Sequence, residues 1–170
     1  MKRYLFIISV FFTISSHAQI TTPTTTAISL GFELAAPSNS IYTIGTGVSA
    51  KFELPVVSPL SLTLTGGFTA MYYKSNLFNS SRTPGAAGFL PLKAGLKYYL
   101  SKNFYAEGEA GTAIETNYDK RDAFAFSIGP GFIIPLSNEK QGIDIGFRYE
   151  SWSNQLRQTG IRIAYRFGGK

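Results

Sequence analysis

From residue 27 onward, large apolar side chains alternate with small or charged ones at a period of two, and the alternation resumes after each turn-forming cluster. The plainest unit spans residues 89–111. Leu90, Leu92, Ala94, Leu96, Tyr98 and Leu100 share one face, and the other bears Lys93 and Lys97. After Ser101-Lys102-Asn103, Phe104, Ala106, Gly108 and Ala110 alternate with Tyr105, Glu107 and Glu109. A tight turn that pairs Leu100 with Phe104 sets Lys97 opposite Glu107, Gly95 opposite Glu109, and Lys93 diagonal to Glu109. One face is apolar while the other carries charges placed to neutralise each other. This is the arrangement expected of a confined polar interior with a greasy exterior.

The remaining chain repeats the pattern. Residues 27–35 set Ile28, Leu30, Phe32 and Leu34 against Ser29, Gly31 and Glu33; Pro37 to Ser40 reads as a loop. Residues 41–54 alternate without a break, with Tyr42, Ile44, Val48, Phe52 and Leu54 opposed to Thr43, Gly45, Ser49, Lys51 and Glu53. A turn at residues 55–59 precedes a strand over residues 60–73. There Leu60, Leu62, Leu64, Phe68, Ala70 and Tyr72 face away from Ser61, Thr63, Thr65 and Thr69. Residues 74–88 form the longest predicted loop, and residues 112–122 a second one. Residues 123–136 make a sixth strand, in which Pro130 predicts a bulge or local break because it removes a ladder hydrogen bond. After a turn at residues 137–142, strands over 143–152 and 157–167 complete eight.

Most of these strands reach the roughly 9–11 residues that cross a bilayer at a tilt. The connections after the second, fourth and sixth strands are short or compact, whereas those after the third and fifth are long. Short turns face the periplasm in membrane barrels, which places both termini there. The charges on the polar face are Glu33, Lys51, Glu53, Lys93, Lys97, Glu107, Glu109, Asp144, Arg148, Glu150, Arg162 and Arg166, six acidic and six basic, and the apolar face carries none. An eight-stranded barrel is just wide enough for side chains to fill it. The expectation is an all-β, up-and-down transmembrane barrel whose lumen is plugged by ion pairs. A passive pore for small solutes is the first alternative. A soluble barrel of lipocalin type is the second, since the same alternation turned inside out would serve it. Against that second reading stand a polar face rich in Gly, Ala, Ser and Thr, a continuously large apolar face, and Tyr42, Tyr72, Tyr98, Tyr149 and Tyr165 placed near strand ends as interfacial girdles.

Composition changes the picture at the N-terminus. Met1-Lys2-Arg3, the apolar run Tyr4–Ile14 and Ser16-His17-Ala18 form a secretory signal peptide, residues 1–18, followed by a short periplasmic lead-in over 19–26 and the barrel over 27–170. The chain has no cysteine, which removes disulfides, thiol chemistry and a lipid-modified N-terminal Cys. Its formal charge of +6 is scattered rather than clustered, so nucleic acid is not an expected partner. No stretch after residue 20 is long and apolar enough for a transmembrane helix, so membrane residence requires a barrel.

The segments 91–100 and 104–111 resemble the central hairpin of the small outer-membrane β-barrel domain proteins of Gram-negative bacteria, similar in design to the OmpX and OmpA barrels. The resemblance extends over the mature chain and is carried by alternation. It implies an integral outer-membrane location, contact with lipid and lipopolysaccharide, and a terminal-strand aromatic read by the barrel-assembly machinery. Tyr165 and Phe167 match that aromatic signal, although Gly168-Gly169-Lys170 follow them.

Candidate chemistry is sparse. The sole histidine, His17, lies in the signal peptide, which argues against a Ser–His triad, a histidine metal site and the catalytic pattern of the lipid A-modifying barrels that the resemblance brings in. Glu107 and Glu109, two apart on one strand face beside Lys93 and Lys97, read as an ion network rather than a catalytic carboxylate pair. Glu115, Asp119 and Asp122 lack calcium-loop spacing. Neither a cofactor nor a metal is expected. Lys74, Arg82, Lys120 and Arg121, by their loop positions, are candidate contacts for lipopolysaccharide headgroups or an external ligand.

Overall fold

A computed structural model describes residues 25–38, 40–74, 85–117, 122–136, 141–153 and 156–168. The segment proposed as a signal peptide, most of the lead-in, and Arg82, Lys120 and Arg121 lie outside the described residues. Eight strands form a closed antiparallel barrel in sequence order: β1 Ala27–Ser38, β2 Tyr42–Val57, β3 Leu60–Tyr73, β4 Ala87–Tyr99, β5 Phe104–Glu115, β6 Asp122–Pro135, β7 Gln141–Trp152 and β8 Leu156–Gly168. Closure by β1 on β8, from Ala27↔Gly168 to Ser38↔Arg157, leaves no unpaired sheet edge. The short connections β2–β3, β4–β5 and β6–β7 share one end with the termini, the turn end. The long β3–β4 and β5–β6 connections lie at the other, the loop end.

The alternation resolves into an apolar outside and a polar inside. Phe32 is 75 % exposed while its neighbour Glu33 is 5 % exposed, and Leu64 at 61 % stands beside Thr65 at 3 %. A soluble barrel requires the reverse, so the lipocalin-type alternative falls. The outer face does carry two charges, contrary to expectation, but Asp122 and Arg157 stand at the loop-end tips of β6 and β8. A lysine or arginine at mid-bilayer would cost about 2–4 kcal/mol, which accounts for the uncharged middle of the wall.

The predicted hairpin register holds, with Lys97↔Glu107, Gly95↔Glu109 and Leu100 N–H donating to Phe104 O at 2.9 Å. Several strands run further than their alternation suggested. β1 continues through Pro37 on its ladder with β8, and β2 passes Pro55 with a register shift between Pro55 and Val57. β5 runs to Glu115, and β4 begins at Ala87. The cause in β4 and β5 is an inversion of the code near the loop end. There the inward positions are themselves apolar, so the contrast between the two faces disappears. Met71, Ala87, Phe89, Ala113, Ala123, Ala125, Trp152 and Leu156 form a buried cluster inside the barrel, with Tyr42 and Tyr73 packed against it. A register shift between Tyr42 and Ile44 turns Tyr42 inward, so it is not a girdle residue. Tyr72, Tyr98 and Tyr149 do face outward.

Pro130 makes no bulge and does not end its strand, but it does bring the expected local break, on one side only. β6 is continuous, its ladder with β5 includes Ala106↔Pro130, and the pairing with β7 lapses only between Ile128↔Tyr149 and Gly131↔Gly146 without a change of register. The missing N–H is thus confined to one gap in one ladder. Beside it, Gly131 gives room to the Tyr105 ring, since a Cβ there would lie 2.7 Å from Tyr105 Cε2.

Candidate functional site

The strands aim all twelve sequence-predicted charges into the lumen, where Lys97 is 0 % exposed and Glu150 1 %. Among the described residues these charges form two chains that alternate in sign. The longer runs Glu107–Lys51–Glu109–Lys93–Glu150–Arg148–Glu33–Arg162. Within it, Lys51 reaches Glu109 at 3.2 Å, Lys93 sits 3.5 Å from Glu109 and 3.2 Å from Glu150, and Arg148 Nε lies 2.7 Å from Glu150. The shorter, nearer the turn end, runs Asp144–Lys97–Glu53–Arg166, with separations of 3.4, 3.1 and 3.3 Å.

The pairing differs from that expected of the isolated hairpin. Lys97 and Glu107 are register neighbours, yet Lys97 pairs with Glu53 on β2 and Asp144 on β7, while Glu107 pairs with Lys51 on β2. The long lysine side chain reaches across the narrow lumen more favourably than along the wall. Lys93 and Glu109 do meet on the predicted diagonal.

Residues that the sequence reading left without a role supply the remaining hydrogen bonds. Tyr99 donates to Glu53 and Tyr105 to Asp144, and Lys97 Nζ lies 4.2 Å from the Tyr105 ring centre. Thr65 donates to Glu109, Trp152 Nε1 to Glu150, and Arg162 to Ser49 at 2.8 Å and Ser29 at 3.1 Å. Their signal was present: Tyr99, Thr65, Ser49 and Ser29 occupy the same alternate positions as the charges. A buried carboxylate needs both a counter-charge and donors for its other lone pairs, and these side chains provide them.

Towards the loop end, the apolar cluster stacks above the charges. Phe89 and Trp152 rings lie 4.9 Å apart, as do those of Tyr42 and Tyr73. Asn117 clasps the adjoining backbone, accepting from Gly88 N–H at 2.8 Å and donating to Ala86 O at 2.9 Å. The lumen contents are thus side chains and small voids, among them a cavity of about 20 Å³ beside Glu107 and Arg148. At the other end of β8, Phe167 faces outward and half-buried Tyr165 donates to Gln141 at 2.9 Å, their rings 4.6 Å apart. Lys74, at the top of β3, is half-buried, its backbone N–H donating to Ile41 O at 2.9 Å. No group of three or more metal-ligating side chains occurs among the described residues.

No protein-family profile and no curated protein matches the sequence. Solved structures do match in shape. The crystal structure of Ail, the attachment invasion locus protein of Yersinia pestis, aligns with a TM-score of 0.57 at 14 % identity, covering 85 % of this chain and 99 % of that one. Ail in complex with the heparin analogue sucrose octasulfate aligns with a TM-score of 0.54 at 14 % identity, over 84 % and 97 % of the two chains. The outer membrane protein OprG from Pseudomonas aeruginosa aligns with a TM-score of 0.58 at 14 % identity, over 89 % and 97 %. The fold is that of the small eight-stranded outer-membrane barrels.

Proposed function

We propose that this chain is an integral outer-membrane barrel, exported through a signal peptide over residues 1–18, with a structural or surface-interaction role exercised through its loop-end connections. The carrying observation is the inversion of exposure along each strand, typified by Phe32 at 75 % and Glu33 at 5 %. Such a molecule is stable only where lipid surrounds it and its charges face one another. In this reading the protein catalyses nothing. The charge chains and the aromatic cluster close the lumen. Lys74, Arg82, Lys120 and Arg121 present positive charge to lipopolysaccharide phosphates or another anionic ligand, and Tyr165 and Phe167 are read by the assembly machinery. Support for an anionic ligand class comes from the similarly shaped Ail barrel, which was solved with a sulfated sugar.

Two measurements test the reading together. Detergent-extracted membrane fractions are run on a denaturing gel with and without boiling, and the purified barrel is placed in a planar bilayer. The expected result is a membrane-fraction band that migrates faster unboiled, with no stable conductance steps. A soluble band without a shift overturns the membrane assignment, and stable open steps overturn the closed lumen.

A further inference from the structure

The longer charge chain has two ends, Glu107 and Arg162, and both ends line the same small cavity. Glu107 uses one carboxylate oxygen on Lys51, whereas Glu107 Oε1 is buried without a hydrogen-bond partner. Arg148 Nε, from the middle of the chain, is held 2.7 Å from Glu150 without a well-aligned hydrogen bond, and Arg148 lines the cavity too. The space is about 20 Å³, enough for one water molecule and too small for a hydrated ion. Its lining combines an acceptor with guanidinium donors, whereas dry cavities are apolar. Gly129 and Gly146 keep side-chain atoms out of the adjoining wall, where the β6–β7 ladder lapses.

We propose that this cavity is a specific site for one ordered water molecule, which donates to Glu107 Oε1 and accepts from an arginine of β7 or β8, Arg148 or Arg162. The water links Glu107 to the arginines of the alternating chain and supplies Glu107 Oε1 with the partner it lacks. This rests on the reading of a closed lumen, because water in an open channel would belong to a continuous file. A single trapped molecule is a structural ligand of the plug.

The test is a crystal structure of the barrel, purified from membranes in detergent, at a resolution that shows ordered solvent. One density peak within hydrogen-bonding distance of Glu107 Oε1 and an arginine nitrogen is expected. A dry cavity overturns the proposal, as does an anomalous peak there after a bromide soak, which would make it a halide site. Gly146→Ala is the second arm. A Cβ at that position meets only the Tyr105 hydroxyl, at 3.3 Å, so the variant is expected to fold and to lose the peak; a peak that persists unmoved argues against the assigned position. A file of waters running the length of the lumen, with conductance in the planar bilayer, would instead defeat the closed-lumen reading itself.

Discussion

Replacing Lys97 with methionine isolates what a link in the shorter charge chain contributes. The ammonium has no exposure and lies between Glu53 and Asp144. Without it, Glu53 keeps Arg166 at 3.3 Å and the Tyr99 hydroxyl, whereas Asp144 keeps only the Tyr105 hydroxyl among its described partners. A buried carboxylate stripped of its counter-charge costs about 3–5 kcal/mol. Lys93→Met is the contrast. Its partners retain other cations, Glu109 keeping Lys51 and Glu150 keeping Arg148, so the cost falls to that of the lost charged hydrogen bonds, about 1.5–3 kcal/mol. Adding Asp144→Asn to Lys97→Met removes the stranded charge while leaving an acceptor for Tyr105, and recovers part of the loss. The assay is urea unfolding of the barrel folded into lipid vesicles, read from Trp152, the sole tryptophan, which is 2 % exposed in the apolar cluster. Equal losses for Lys93→Met and Lys97→Met, or a double variant no more stable than Lys97→Met, would refute the reasoning.

Two further outcomes follow from the wall itself. Gly131→Ala forces a Cβ to within 2.7 Å of Tyr105 Cε2 and is expected to cost about 1–3 kcal/mol by overpacking, measured as a lower temperature at which the fast-migrating gel band disappears. Leu64→Arg, on the outer face of β3, is expected to lose about 2–4 kcal/mol in vesicles, whereas Leu64→Ala should be tolerated because no protein neighbour is left behind a void; equal tolerance of both would dissociate that face from lipid.

The sequence reading reached the barrel because period-two alternation is strict wherever one face meets lipid and the other a charged lumen, as in β3 and the β4–β5 hairpin. It shortened β4 and β5 near the loop end because Ala87, Phe89 and Ala113 are apolar yet point inward, which cancels the contrast on which the reading depends. It misplaced Tyr42 because a one-residue register shift beside Ile44 leaves no mark in composition. All twelve lumen charges were legible from parity alone. Their partners were not: parity says that Lys97 faces inward, but only the closed barrel brings β2 and β7 within its reach. The hydroxyl donors, Tyr99 and Tyr105 above all, were visible by position and lacked only a geometry to make them necessary.

The ion pairs also bear on the mechanics of the tube. Backbone ladders fix the perimeter of a barrel but leave its cross-section soft, since a closed ribbon of constant circumference flattens by small changes of angle at every strand. Seven of the ten described salt bridges skip at least one strand, joining β2 to β5, β4 to β2 and β7, β7 to β1, and β8 to β2. They act as spokes rather than hoops. Ovalisation under the uneven lateral pressure of a membrane must lengthen some of these spokes and compress others, so the charges keep the wall round and its apolar girth constant against the surrounding lipid.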